Sequence, residues 1–339
     1  MEYNIIKWDS NHKVDLITIS NSNGLTIKVM NWGATLVDVQ SPDSQGNIDS
    51  IIAGYDNFED YYKTNFYFGS SVGRYANRIG KAEFELNSKL YKLTANDNEN
   101  TLHGGPQGYH RRLFEYTIEE TKTSIKVTFT RLSPDGEEGY PGNVNVSFSY
   151  TLNEENDLIL DFDAKSDTDT YINLTNHAYW NLEGFGTDIL NQELRIDADS
   201  YVEIDTDCIP TGQISSTTNS SFDFKSPITF KQAFSKQSKG FDHCFILNER
   251  PKDKVQIEAY SPKTGRKLSI WTDQPGVQLY TCSNFDRAQL RGKKDLTVNG
   301  AFCLEVQGLP DSMHHNNFPQ CLVKAGETYS KQGIHKFSW

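Results

Sequence analysis

Apolar residues recur at every second position through much of the chain: Leu25, Ile27 and Val29; Ile125, Val127 and Phe129; Val144, Val146, Phe148 and Tyr150; Leu158, Leu160 and Phe162. A period of two sends successive side chains to opposite faces of an extended backbone, so each run reads as a half-buried strand of antiparallel sheet. Turn-forming clusters separate the runs, among them Pro42-Asp43-Ser44-Gln45-Gly46-Asn47, Ser133-Pro134-Asp135-Gly136, Asn153-Glu154-Glu155-Asn156-Asp157 and Ser261-Pro262-Lys263-Thr264-Gly265. Further strands are predicted over 255–260, 268–272, 277–281 and 302–307, and helix only over the short pieces 57–62 and 229–234. The pattern predicts an all-β fold, a large antiparallel β-sandwich with few short helices. No repeat, heptad, low-complexity tract or Pro- or Ser-rich linker divides the 339 residues, so one domain spanning 1–339 is expected.

Composition excludes several partners. With 33 Lys and Arg against 45 Asp and Glu, the formal net charge is −12, and no basic stripe offsets it, so nucleic acid is not expected to bind. The N-terminal stretch has no apolar signal core and no run is long enough to cross a bilayer, which predicts a soluble, cytoplasmic protein. Five cysteines, at 208, 244, 282, 303 and 321, are widely spaced without a CxxC pair and read as reduced packing residues. Walker A, HExxH, HxH and GxGxxG motifs are all missing, so no cofactor or metal is expected. The pair His314-His315 sits in a loop-like context, and neighbouring side chains on extended backbone diverge, which argues against a metal site there.

A few segments are candidates for chemistry. His177 lies in Leu174-Thr175-Asn176-His177-Ala178-Tyr179-Trp180-Asn181-Leu182, where rings, amides and an imidazole suit an uncharged polyhydroxy ligand. His103 precedes Gly104-Gly105, whose freedom lets backbone approach a ligand, and Asn77-Arg78 lies in the glycine-bracketed segment 73–80. Asp242 and Glu305 each stand in an apolar strand-like run, where an unused carboxylate is costly. Alternation puts Phe302, Leu304 and Val306 on one face and Cys303, Glu305 and Gln307 on the other, either lining a pocket or facing solvent. Gln278 is a further polar side chain within a strand.

Taken in order, Asn77-Arg78, Leu102-His103-Gly104-Gly105, Asn176-His177 through Leu182, Phe241-Asp242-His243, Gln278 and Glu305-Val306-Gln307-Gly308-Leu309-Pro310-Asp311 resemble the aldose 1-epimerase (galactose mutarotase) family. The likeness runs from Asn31-Trp32-Gly33-Ala34 to Lys324-Ala325-Gly326-Glu327-Thr328-Tyr329. It implies a β-supersandwich that interconverts the α and β anomers of free aldohexoses such as galactose and glucose without metal or coenzyme. By position, Glu305 matches the family's general base and His177 its general acid, while His103, Arg78, Asn77, Asp242 and Gln278 match its substrate-binding residues. Phe114 in place of a common Trp, Cys244 in place of a frequent Asn, and the basic trio His110-Arg111-Arg112 depart from the pattern.

The chemistry is self-consistent. A base takes the C1 hydroxyl proton while an acid protonates the ring oxygen; the ring opens, C1 turns, and closure reverses both transfers. Reference pKa values leave Glu305 ionised, whereas His177 needs a hydrogen bond or a nearby carboxylate such as Asp242 to stay protonated at neutral pH. Three other readings stand beside this one. The chain could be a hexose-6-phosphate 1-epimerase, with Arg74, Arg111 and Arg112 meeting the phosphate, or a glycoside hydrolase using Asp242 and Glu305. The third is a non-catalytic sugar-binding or regulatory module. The expected partner is a small monosaccharide, and the expected state a monomer or weak homodimer.

Overall fold

The computed structural model describes residues 1–283, 285 and 287–339, and its described elements are almost all strands. Its largest sheet has nine antiparallel strands, in the spatial order Glu115–Glu120, Ser124–Ser133, Val144–Asn153, Asp157–Ser166, Thr328–Ser338, Lys267–Thr272, Ile257–Tyr260, Glu193–Ile196 and Ile228–Thr229. The predicted alternation is realised here. Phe129 pairs with Phe148 and Phe148 with Phe162 in register, all three buried, while intervening polar residues such as Asn145 and Lys165 face outward. The strand Thr328–Ser338 is inserted between Asp157–Ser166 and Lys267–Thr272, joining segments from the middle and the last third of the chain.

A six-stranded antiparallel sheet carries much of the site, in the order Tyr179–Trp180, Phe302–Gln307, Gly276–Tyr280, Asp242–Leu247, Ala198–Ile204 and Pro210–Ser216. A third sheet contains the five N-terminal strands from Glu2–Asp9 to Ile48–Ser50. One apolar core joins all three, with Ile17 and Ile27 from the N-terminal sheet, Phe148 and Phe162 from the nine-stranded sheet, and Leu279, Leu304 and Val306 from the six-stranded one. Packing sheet faces against each other removes these side chains from water, which is the main favourable term in such a fold.

The two α-helices among the described residues, Phe58–Lys63 and Phe230–Lys236, fall where the sequence places them. The second starts with a capping box in which Thr229 and Gln232 satisfy each other's backbone N–H groups. No helix among the described residues is long and apolar enough to cross a membrane. Pairs of residues forming two-residue ladders, such as Ser71–Val72 with Thr175–Asn176, are not visible in the sequence, since two residues have no period. Those ladders support much of the site.

Candidate active site

Asn77 and His103 are held by a short antiparallel ladder in which Arg78 pairs with Leu102 and Ile79 with Thr101. The His103 N–H donates to the Asn77 carbonyl (3.0 Å), and the Asn77 N–H donates to His103 Nδ1 (3.1 Å). Nδ1 is therefore an acceptor, and a neutral His103 ring carries its proton on Nε2. The chain leaves His103 through Gly104 at φ +82°, where a Cβ would overlap the Gly73 carbonyl oxygen, so glycine is required on two counts. The Asn77 side chain is not free: its Oδ1 accepts from the Arg78 N–H at 2.8 Å.

His177 follows the ladder Thr175–Asn176. Its N–H donates to the Ser70 carbonyl and its carbonyl accepts from the Gly69 N–H, both at 2.9 Å, which fixes the backbone against the segment 67–70. The imidazole is sandwiched between two tyrosine rings, Tyr67 at 5.7 Å and Tyr179 at 4.8 Å, with interplanar angles of 11° and 12°. Tyr67 also meets the edges of His103 and His110. Sequence reasoning passed over Tyr67; the density of rings in Phe66-Tyr67-Phe68 is its one signal.

Glu305 and Gln278 are directly opposite on neighbouring strands, and Asp242 stands one strand further, across from Tyr280. Leu304 and Val306 enter the core, whereas Glu305 lines the pocket at 2% exposure; its face of the strand is buried, with Cys303 in a second apolar cluster, and does not meet solvent. Glu305 Oε1 lies 3.6 Å from His177 Nε2. Gln278 Nε2 donates to Asp242 Oδ1 (2.7 Å), and Arg78 donates through Nε to Asp97 (2.7 Å) and reaches Asp242 Oδ2 through Nη1 (3.4 Å). Asn77, Arg78, His103, His177, Asp242 and Glu305 all line one cavity of about 290 Å³, together with Tyr67, Tyr179, Tyr280, Phe66 and Phe285. Gln278 does not line it and instead braces Asp242 from behind.

Burial dominates the site's electrostatics. It pushes the Glu305 carboxyl well above the usual carboxylate range, Asp242 adding to the effect and Arg78 opposing it. It pushes His177 down to about 4 even though the Asp242 charge pulls the other way, and it holds His103 well below the ordinary imidazole value. Desolvation of both groups thus works against the charged pair of an ionised Glu305 and a protonated His177, and for His177 it outweighs the pull of the Asp242 charge. His177 Nδ1, Glu305 Oε2 and Gln278 Oε1 are buried without a hydrogen-bond partner. Unpaired buried polar atoms are rare, and two of these three belong to side chains that line the cavity. The donor atoms of His103, His177 and Glu305 lie within 4.8 Å of one another, a set of types that can also hold a divalent ion.

None of the guanidiniums suggested for a phosphate lines the cavity, although Arg111 reaches the lining residue Asn65 (3.3 Å). Arg74 is buried against the Pro141, Ser133 and Pro134 carbonyls, Arg111 binds the Tyr62 and Thr64 carbonyls, and Arg112 pairs with Glu137. His314 and His315 converge on Asp311 (2.7 and 3.4 Å), because a 3₁₀ turn over Ser312–His314 replaces the extended backbone that would have parted them.

The profile of the Aldose 1-epimerase family matches residues 15–336. Galactose mutarotase of Bos taurus is 38% identical over 321 residues, covering 94% of this chain and 92% of that one. Aldose 1-epimerase of Escherichia coli K12 is 32% identical over 330 residues, covering 95% and 94%. Among solved structures, a GalM/aldose epimerase homologue from C. elegans superposes with a TM-score of 0.89 at 30% identity over 99% of each chain. With the matching order of motifs and the pocket they form, these similarities make the chain a member of the aldose 1-epimerase family, the carbohydrate isomerases that exchange α and β anomers.

Proposed function

We propose that this pocket catalyses anomer exchange of a free aldohexose, galactose or glucose, with Glu305 and His177 as the proton-transferring pair. The observation that carries the reading is the buried 3.6 Å approach of Glu305 Oε1 to His177 Nε2, two side chains that line the same cavity. The two groups share one proton. Neutral Glu305 with neutral His177, and ionised Glu305 with protonated His177, contain the same number of protons, so passing from one to the other needs no exchange with solvent. Sugar hydroxyls donating to the carboxylate favour the ionised pair, as do the Tyr67 and Tyr179 faces on either side of the imidazolium. Glu305 then takes the C1 hydroxyl proton, His177 gives its proton to the ring oxygen, and the opened aldehyde turns about C1–C2 before closing from the other face.

His103, Arg78 and Asp242 contact the remaining hydroxyls, Asn77 fixes Arg78 and His103 through its backbone and amide, and Gln278 orients Asp242. The pocket's volume, at the small end of the roughly 300–1,000 Å³ of ligand clefts, suits one monosaccharide. Among its described lining residues Arg78 is the lone lysine or arginine, and it already faces two carboxylates, which favours a free sugar over a phosphorylated one. The work is assigned to a single domain in the cytoplasm, a setting that suits the five free thiols.

Polarimetry of freshly dissolved α-galactose and α-glucose tests the proposal. Wild type is expected to accelerate the decay to equilibrium, Glu305→Gln to fall to near the spontaneous rate, and EDTA dialysis to leave wild type unchanged. A sugar that binds with no change in decay rate would instead favour a non-catalytic binding module. Release of nitrophenol from nitrophenyl galactoside would favour hydrolysis.

A further inference from the structure

Asp97 does not line the sugar pocket, yet it makes the shortest contact to Arg78, a 2.7 Å charge-assisted hydrogen bond to Nε. Its placement is fixed by a knot of local bonds. Asp97 and Asn100 exchange backbone hydrogen bonds (3.1 and 2.9 Å), Asn96 brackets Leu102 through both amide atoms (2.7 and 3.0 Å), and Asn100 Oδ1 accepts from the Lys81 N–H at 2.9 Å. The turn that holds Asp97 therefore leads directly into the ladder that presents Arg78 and His103.

The contact matters because of what Arg78 would do without it. A guanidinium offers a planar fork that pairs best with a carboxylate through two parallel bonds. Asp242 is within reach, but the present contact is a single long one, Nη1 to Oδ2 at 3.4 Å. With Nε committed to Asp97, the Nε–Nη2 edge is not available to Asp242, and the guanidinium meets Asp242 through the single Nη1 contact instead of a two-bond fork. Asp97 also adds a second negative charge to the surroundings of the pocket's cation.

We propose that Asp97 is a positioning residue that sets the pocket's selectivity: it holds Arg78 in the orientation that serves neutral hydroxyl groups, and with Asp242 it screens the guanidinium from anionic sugars. The inference rests on the aldose reading of this pocket. Asp97 touches no reacting atom, so its removal acts on substrate affinity rather than on the proton transfers.

Two variants separate the halves of the claim. Asp97→Ala removes both acceptor and charge, while Asp97→Asn keeps the shape and an acceptor but removes the charge. For galactose, Asp97→Ala is expected to raise KM about tenfold, the size of one charged hydrogen bond, with kcat within about threefold of wild type. Asp97→Asn should recover most of that KM, and galactose 6-phosphate should inhibit it at least about threefold more tightly than wild type at low salt. An unchanged KM in Asp97→Ala, a kcat loss as large as the KM rise, or unchanged inhibition of Asp97→Asn by the phosphorylated sugar would each overturn the proposal. Calorimetric titration of galactose into wild type and both variants reads the same affinity ratio without turnover. A wild type that binds galactose but exchanges no anomers would therefore sink the epimerase reading while leaving the role of Asp97 to be judged on its own.

Discussion

Glu305 is a carboxyl enclosed in a β-sheet, and its environment works against its charge. Two predictions follow from the direction of that effect. The pair's single-proton form persists from about pH 4, where His177 would gain a second proton, up to the raised value of Glu305. kcat/KM, corrected for spontaneous exchange, should therefore fall both below about pH 4 and above the Glu305 value, and Glu305→Gln and His177→Asn should each lose about 10²–10⁴-fold in kcat. The second prediction concerns stability. A carboxyl whose folded pKa is raised favours folding fully below its unfolded value and loses that contribution as pH rises through the folded value. Glu305→Gln should thus melt close to wild type near pH 4 and increasingly above it as pH rises, by about 2 °C or more at neutral pH. Equal melting temperatures across that range would refute the buried-carboxyl account. At this scale much was legible: a carboxylate in Phe302-Cys303-Leu304-Glu305 and an imidazole among amides and rings are anomalies a sequence displays. The protonation states were not, because desolvation depends on what the fold stacks around a group.

The long strands announce themselves by alternation, and Val144–Asn153 and Asp157–Ser166 lie where the pattern puts them. Much of the site depends on shorter elements. Arg78–Ile79, Thr101–Leu102 and Thr175–Asn176 are ladders of two residues, and what they hold becomes visible in the fold alone. Gly104 is the exception, since a glycine pair after His103 signals a tight turn. Gly104→Ala should destabilise by about 3 kcal/mol or more, because both the left-handed backbone and the overlap with Gly73 must be relieved. Gly186→Ala, at φ +95° with open space around it, meets the backbone cost alone, about 1 kcal/mol. Urea midpoints of the two variants check this; equal losses would mean that the close approach to Gly73 is readily relaxed. Asp97 belongs to the same scale: its role comes from the turn it sits in, and a lone Asp among Asn96, Asn98 and Asn100 reads as loop chemistry.

Across the whole molecule, one core links three sheets, and the strand Thr328–Ser338 occupies an interior position in the largest of them. Deleting residues 328–338 would expose two long strand edges and remove Phe337 from the core, so the shortened chain should be insoluble or lack a cooperative urea transition, as sedimentation and circular dichroism would reveal. A sequence shows that such a strand exists but not where it inserts, because strand order is a property of long-range pairing. The insertion also imposes a schedule on the protein's birth. On the ribosome the N-terminal strands can pair as they emerge, and residues 144–166 can form their hairpin, but its free flank must wait for a partner made some 160 residues later. Until then a nascent chain carries an unpaired strand edge, the kind of transient surface on which β-proteins aggregate before they are complete.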